Sequence, residues 1–239
     1  RQLLVIILLL VGFIFNLKAE EKKFIAPNND QITFKGALFV EKSEKKVVLN
    51  RHTKSFLKHP QTFMNAEKAN TQSGVSICFS SNSSEIKVFF EERDDSQTRQ
   101  KVFGIFKNGK FYQQANGFEF SFPNPDGDKL TEWEIVLPAF TGINFTGLEI
   151  DKSADLKSVK SKKKPIYAAI GNSITHGVGQ NGAAYLTYPF LLARQKNWEL
   201  YNLAVGGSKI SWPVANLLKN IEVEVITILW GFNDWNSTF

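Results

Sequence analysis

Between residues 166 and 230 the chain alternates short, unbroken apolar runs with stretches of helical character. The runs cover residues 166–170, 200–205 and 223–230. Tyr188–Lys196, between the first two, reads as a helix; a second helix is expected to begin at Ser211 and end near Lys219. An apolar run of this length without polar alternation reads as a strand covered on both faces. Pro213 suits a helix start, because its fixed φ and missing N–H are tolerated in the first turn. Parallel neighbours need a crossover long enough to bring the chain back, and a helix is the usual one. Strand, helix, strand, helix, strand therefore predicts an α/β domain with a parallel sheet over residues 165–239.

Ahead of it the period falls to two. Residues 75–80, 85–91, 102–106, 110–114, 118–122 and 133–137 alternate, or are rich in β-branched and aromatic residues. Asn108-Gly109 sits between two of these segments, and both residues tolerate the positive φ of a type I′ hairpin. Pro123-Asn124-Pro125-Asp126-Gly127 marks another turn. Many short strands without a helical period predict an all-β sandwich over residues 20–151. The fold class is therefore mixed, an N-terminal β-sandwich followed by an α/β domain, with the lysine-rich residues 152–164 as the linker.

The formal charge of +6 raises the question of a nucleic-acid partner, but the charge is badly placed for one. Lys152, Lys157, Lys160, Lys162, Lys163 and Lys164 crowd into the linker, where they read as solvated, and no nucleic-acid motif accompanies them. Arg1, the apolar residues 3–15 and the closing Asn16-Leu17-Lys18-Ala19 have the layout of a secretory signal peptide over residues 1–19. The apolar run is shorter than the roughly 20 residues that span a bilayer. The protein is expected to be secreted or periplasmic, without stable membrane association after cleavage; the alternative is an uncleaved anchor. Cys78, the single cysteine, leaves no internal disulfide and reads as a small buried hydrophobe on the face it shares with the flanking serines.

Ligands of open α/β sheets bind beyond the carboxyl ends of the strands. The three ends here read Gly171-Asn172-Ser173-Ile174-Thr175-His176-Gly177, Asn202-Leu203-Ala204-Val205-Gly206-Gly207-Ser208 and Trp230-Gly231-Phe232-Asn233-Asp234-Trp235. A hydroxyl on a sharp turn, a glycine that permits close backbone approach and a side-chain amide form a set suited to acyl transfer. These blocks resemble those of the SGNH (GDSL-type) hydrolases. Gly-Asn-Ser-Ile-Thr is similar to the family's Gly-Asp-Ser block, Asn202 to Gly207 to its second block, and Gly-Phe-Asn-Asp to its Gly-x-Asn-Asp block.

The resemblance implies a flavodoxin-like parallel sheet and a serine esterase with Ser173 as nucleophile. The oxyanion hole would be formed by Ser173, Gly207 and Asn233, with Gly206 the lesser candidate because it is one residue off the family spacing. Asn172 replaces the usual Asp, a residue that mainly shapes the turn. No Asp-x-x-His block follows Asn233, so the triad Asp and His are not found in this chain, and the hydrolase domain is expected to be truncated. Of the three histidines, His52 and His59 belong to the β domain, and His176 reads as a polar rim residue. The scattered histidines and acids show no metal-ligand spacing, and no cofactor is expected. The expected substrate is an acylated small molecule or polysaccharide, foremost an O-acetylated carbohydrate. A lipase or thioesterase is the alternative, as is a carbohydrate-binding sandwich with a vestigial hydrolase domain, stacking sugars on Phe111 or Tyr112. Exported protein should begin near Glu20; N-terminal sequencing that still finds residues 3–15 would refute the signal peptide.

Overall fold

The computed structural model describes residues 21–58, 63–127, 129–160 and 163–235. The expected signal segment and His59 lie outside the described residues. The architecture is mixed, with many strands and few, short helices.

Two six-stranded antiparallel sheets occupy the N-terminal part. One runs in the order Phe39–Lys42, Val47–Asn50, Ile143–Asp151, Glu85–Glu92, Glu119–Pro123, with Lys22–Ile25 also paired to Ile143–Asp151. The other runs Leu156–Lys157, Ser76–Ser81, Thr131–Val136, Val102–Lys107, Lys110–Asn116, with Thr33–Lys35 also paired to Ser76–Ser81. Alternation sends Val47, Leu49, Ile86, Val88 and Phe145 of the first sheet into one apolar cluster with Ile77, Phe79, Phe103, Ile105 and Trp133 of the second. Asn108 (φ 48°) and Gly109 (φ 77°) form the expected tight turn between Val102–Lys107 and Lys110–Asn116.

The second sheet is a middle layer. Its outward face carries Phe106 and Val136 into another cluster with Tyr167, Tyr185, Phe190 and Leu200 of the C-terminal part. All six residues of Ser76–Ser81 are therefore buried, and the face that Cys78 shares with Ser76 and Ser80 is a packed one. Burial pushes the Cys78 thiol above its ordinary pKa. Glycines set the approach: a Cβ at Gly104 would fall 2.5 Å from the Tyr185 ring, and one at Gly36 would fall 2.9 Å from the Leu200 carbonyl oxygen. Arg194 closes this layer with a 2.7 Å ion pair to Glu134, its guanidinium lying over the Phe106 ring.

The C-terminal part is a three-stranded parallel sheet in the order Glu199–Asn202, Ile166–Gly171, Val225–Leu229. The helix Tyr188–Lys196 crosses between the first two strands in sequence, and Trp212–Leu217 between the second and third. Two expectations need revision. Residues 203–205 leave the second strand and form a loop. Val225–Leu229 is not a buried strand: among the described residues it has one partner, and Ile228 is 69% exposed. Within the lysine-rich stretch, Leu156–Lys157 pairs with Ser81 and Ser80. Gly104→Val should wedge the two layers apart and destabilise by about 1–3 kcal/mol, the usual cost of overpacking. Thermal melting would show it as a lowered Tm.

Candidate active site

Strand Ile166–Gly171 ends where only glycine fits, since a Cβ on Gly171 would overlap Thr175 and approach the Leu229 carbonyl oxygen to 2.6 Å. The chain then turns through buried Asn172 into the one-turn helix Ser173–His176, which stops at Gly177 in the left-handed region (φ 119°). The Ser173 carbonyl accepts from the N–H groups of Gly177 (3.0 Å) and Val178 (2.8 Å). Its half-buried side-chain hydroxyl has no partner among the described residues.

Two side chains tie this turn to its neighbours. The buried Asn202 amide donates to the Thr175 carbonyl (2.9 Å) and accepts from the Ala204 N–H (3.1 Å). Ser208 joins all three strand ends: its hydroxyl donates to the Gly171 carbonyl (3.3 Å), and its own carbonyl accepts from Asn233 Nδ2 (2.9 Å) and Trp230 Nε1 (3.2 Å). Gly207 takes the left-handed conformation (φ 83°), and its N–H donates to no group among the described residues. The neighbouring Gly206 N–H is already engaged, donating to His176 Nδ1 at 3.0 Å. The structure thus links the ends that carry Ser173, Gly207 and Asn233.

His176 is not on the rim. It is fully buried, stacked on Phe140 with ring centroids 3.9 Å apart. Because Nδ1 accepts from Gly206, the proton of the neutral ring lies on Nε2, which donates to Thr71 Oγ1 at 2.8 Å. Both nitrogens are therefore occupied, and neither serves the Ser173 hydroxyl. Burial, then the Arg51 guanidinium, holds its pKa well below the ordinary value.

Sequence reasoning missed Arg51 and set His52 aside with the β domain. Both follow strand Val47–Asn50 and are buried, Arg51 to 1% exposure. Arg51 Nε donates to the Thr71 carbonyl (2.6 Å), and Nη1 to the carbonyls of Asn202 (2.6 Å) and Ala204 (2.9 Å). Among the described residues no carboxylate pairs with it. Burial lowers its pKa to about 9. The His52 ring lies between the Ala69 carbonyl (2.9 Å from Nδ1) and the Leu203 carbonyl (3.1 Å from Nε2). Only a doubly protonated ring could donate to both. Burial, then the neighbouring Arg51 charge, opposes that form and lowers the pKa to about 3. The ring is accordingly neutral, with one of the two contacts unmade. The only sequence sign was two adjacent cationic side-chain types closing a strand.

No protein-family model and no curated protein sequence matches the chain. Solved structures do. The salicylyl-acyltransferase SsfX3 from a tetracycline biosynthetic pathway superposes with a TM-score of 0.76 at 16% identity, over 91% of this chain and 64% of that one. A GDSL-like lipase from Bacteroides ovatus gives 0.68 at 19% identity, over 87% of this chain and 64% of that one. The acetyl xylan esterase Est2A from the rumen bacterium Butyrivibrio proteoclasticus gives 0.61 at 16% identity, over 91% and 66%.

The chain has the SGNH-hydrolase fold.

It spans less than two thirds of the length of the first two of these structures. Within the SGNH fold, the linked strand ends are the three segments that the sequence blocks single out. Among the described residues no helix is long and apolar enough to cross a membrane, and no cluster of His, Cys, Asp and Glu could hold a metal. Phe111, offered as a sugar platform, stacks on Tyr185 at 5.2 Å and is half covered.

The two buried histidines give a pH signature. A base whose pKa is lowered by folding binds fewer protons folded than unfolded between those two values, so stability rises with pH there. The contribution of His52 is complete above its ordinary 6.5 and is lost as the pH falls toward about 3; His176 acts in the same direction. Urea titrations from pH 7 to 4 should show stability falling below pH 6.5, by up to about tenfold in the unfolding constant per pH unit for each histidine. His52→Asn should flatten that slope.

Proposed function

We propose that this chain supplies the nucleophile and oxyanion donors of a secreted or periplasmic serine esterase acting on O-acetylated carbohydrate. The carrying observation is the junction at Ser208, which ties the Gly171 and Trp230–Asn233 ends to the Gly207 loop while the Ser173 hydroxyl and the Gly207 N–H have no partner among the described residues. In this reading residues 1–19 are a signal peptide, 20–151 a β-sandwich, 152–164 a linker and 165–239 the N-terminal part of the hydrolase domain.

Ser173 Oγ attacks the ester carbonyl, and the carbonyl electron pair moves to oxygen. The resulting oxyanion lies against the N–H groups of Ser173 and Gly207 and the Asn233 amide, donors held in place before the charge develops. The tetrahedral intermediate collapses as the alcohol leaves, and water then releases the acyl group from Ser173. The proton from Ser173 needs a base. His176 is occupied on both nitrogens, which supports placing the triad Asp and His outside this chain. The preference for acetyl groups on sugars is drawn from the acetyl xylan esterase among the similar structures, a likeness of fold.

In the full-length protein, Ser173→Ala should abolish hydrolysis of p-nitrophenyl acetate and of acetylated xylan. Asn233→Ala should lower kcat by about 10²–10³ with a smaller change in KM. Wild-type rates in both variants would remove the site. Faster turnover of an octanoyl than an acetyl ester would favour the lipase alternative.

A further inference from the structure

A buried guanidinium ordinarily has a carboxylate partner, because moving an unpaired cation out of water is expensive. Arg51 is held by main-chain carbonyls, with His176 Nε2 at 3.2 Å and Thr71 Oγ1 at 3.4 Å beside its Nη2. Its lowered pKa reports that the fold disfavours the charged form, so at neutral pH the charge subtracts from stability. An apolar side chain of similar volume would fill the space without that cost.

What hydrocarbon cannot replace is the pattern of donors. The three successive carbonyls of Asn202, Leu203 and Ala204 leave the sheet at the end of the second parallel strand. Arg51 Nη1 takes the first and third, and His52 Nε2 faces the middle one. On the opposite side the N–H groups of Leu203 and Val205 donate to the carbonyls of Ala169 and Gly171. The segment is gripped from both sides. Where the grip ends, His176 Nδ1 takes the Gly206 N–H, leaving Gly207 as the next donor in the chain. His176 is itself fixed through Thr71 Oγ1, and Thr71 gives its carbonyl to Arg51 Nε.

We propose that Arg51 and His52 of the N-terminal part, acting with His176, are positioning residues that aim the Gly207 N–H at the oxyanion. The proposal rests on the esterase reading above, in which that N–H is a catalytic donor. Neither Arg51 nor His52 hydrogen-bonds Ser173. They set the path of residues 202–206, and with it the direction of the next amide. A planar fork can serve Thr71, Asn202 and Ala204 together; a lysine ammonium cannot span the same set.

The test uses full-length protein carrying Arg51→Lys, which keeps the charge, and Arg51→Met, which keeps the bulk. Active enzyme is counted by titrating Ser173 with an organophosphonate, and hydrogen exchange is followed by mass spectrometry. Both variants should lose about 10–10²-fold in kcat per titrated serine, as expected for a misplaced donor, with KM within about twofold. Exchange should quicken at residues 202–208 while Ser76–Ser81 and Thr131–Val136 keep their protection. Should Arg51→Met fail to fold, Arg51→Lys carries the test alone. Wild-type kcat in the folded variants, whatever their Tm, overturns the proposal, and so does wild-type exchange at residues 202–208. An unaltered protein whose turnover does not depend on Ser173 defeats the esterase reading instead; exchange at residues 202–208 then decides by itself whether Arg51 holds the loop.

Discussion

Carbonyl groups that leave a strand inside a packed seam must find donors, because an unpaired buried acceptor costs about as much as a lost hydrogen bond. The second parallel strand here releases the carbonyls of Asn202, Leu203 and Ala204 into such a seam. They belong to buried residues, and among the described residues the parallel sheet has no further strand on that side. Arg51, at a strand end about 150 residues earlier in sequence, donates to the first and third, and the neighbouring His52 faces the second. Much else follows from that one requirement. Thr71 must lie beside Arg51, the segment from Asn70 to Ser73 is buried though polar, and Ser73 in turn caps the His176 carbonyl at 2.6 Å. The short helix that opens at Ser173 is thus set against the N-terminal part of the chain.

The middle sheet makes this arrangement possible. A sheet with one wet face would hold the C-terminal part only through the intervening chain, whereas Val102–Lys107 and Thr131–Val136 contribute to clusters on both faces. Glycine spaces the contact. The Tyr185 side chain occupies the space a Cβ at Gly104 would need, and Leu200 and Asn202 crowd the same space at Gly74. The glycines lower the separation and the aromatic rings fill it.

Periodicity made much of the mixed architecture legible. The helix Tyr188–Lys196, the hairpin at Asn108-Gly109 and the parallel order of three strands all appear where the pattern placed them. These depend on local preference and on repeat length. Burial was legible only in part, since it depends on what packs against an element. Ser76–Ser81 alternates like a half-wet strand and is covered on both faces, while Val225–Leu229 reads as a covered strand and is an exposed edge among the described residues. The site shows the same limit. The three blocks were visible because each is contiguous. Arg51, Thr71 and His176 were not, because their meaning lies in contacts across more than 100 residues.

The seam also bears on how such a chain can change over generations. Residues 163–235 look like a portable cassette, bounded by a lysine-rich stretch and bearing all three blocks. They are not self-sufficient, for two oxygens beside the glycine loop are served by Arg51, which precedes the cassette, and the one between them faces His52. Grafted onto an unrelated β scaffold, the same residues would keep their letters and lose those donors. Moving one part without the other would strand the buried carbonyls of Asn202 and Ala204 without their Arg51 donors.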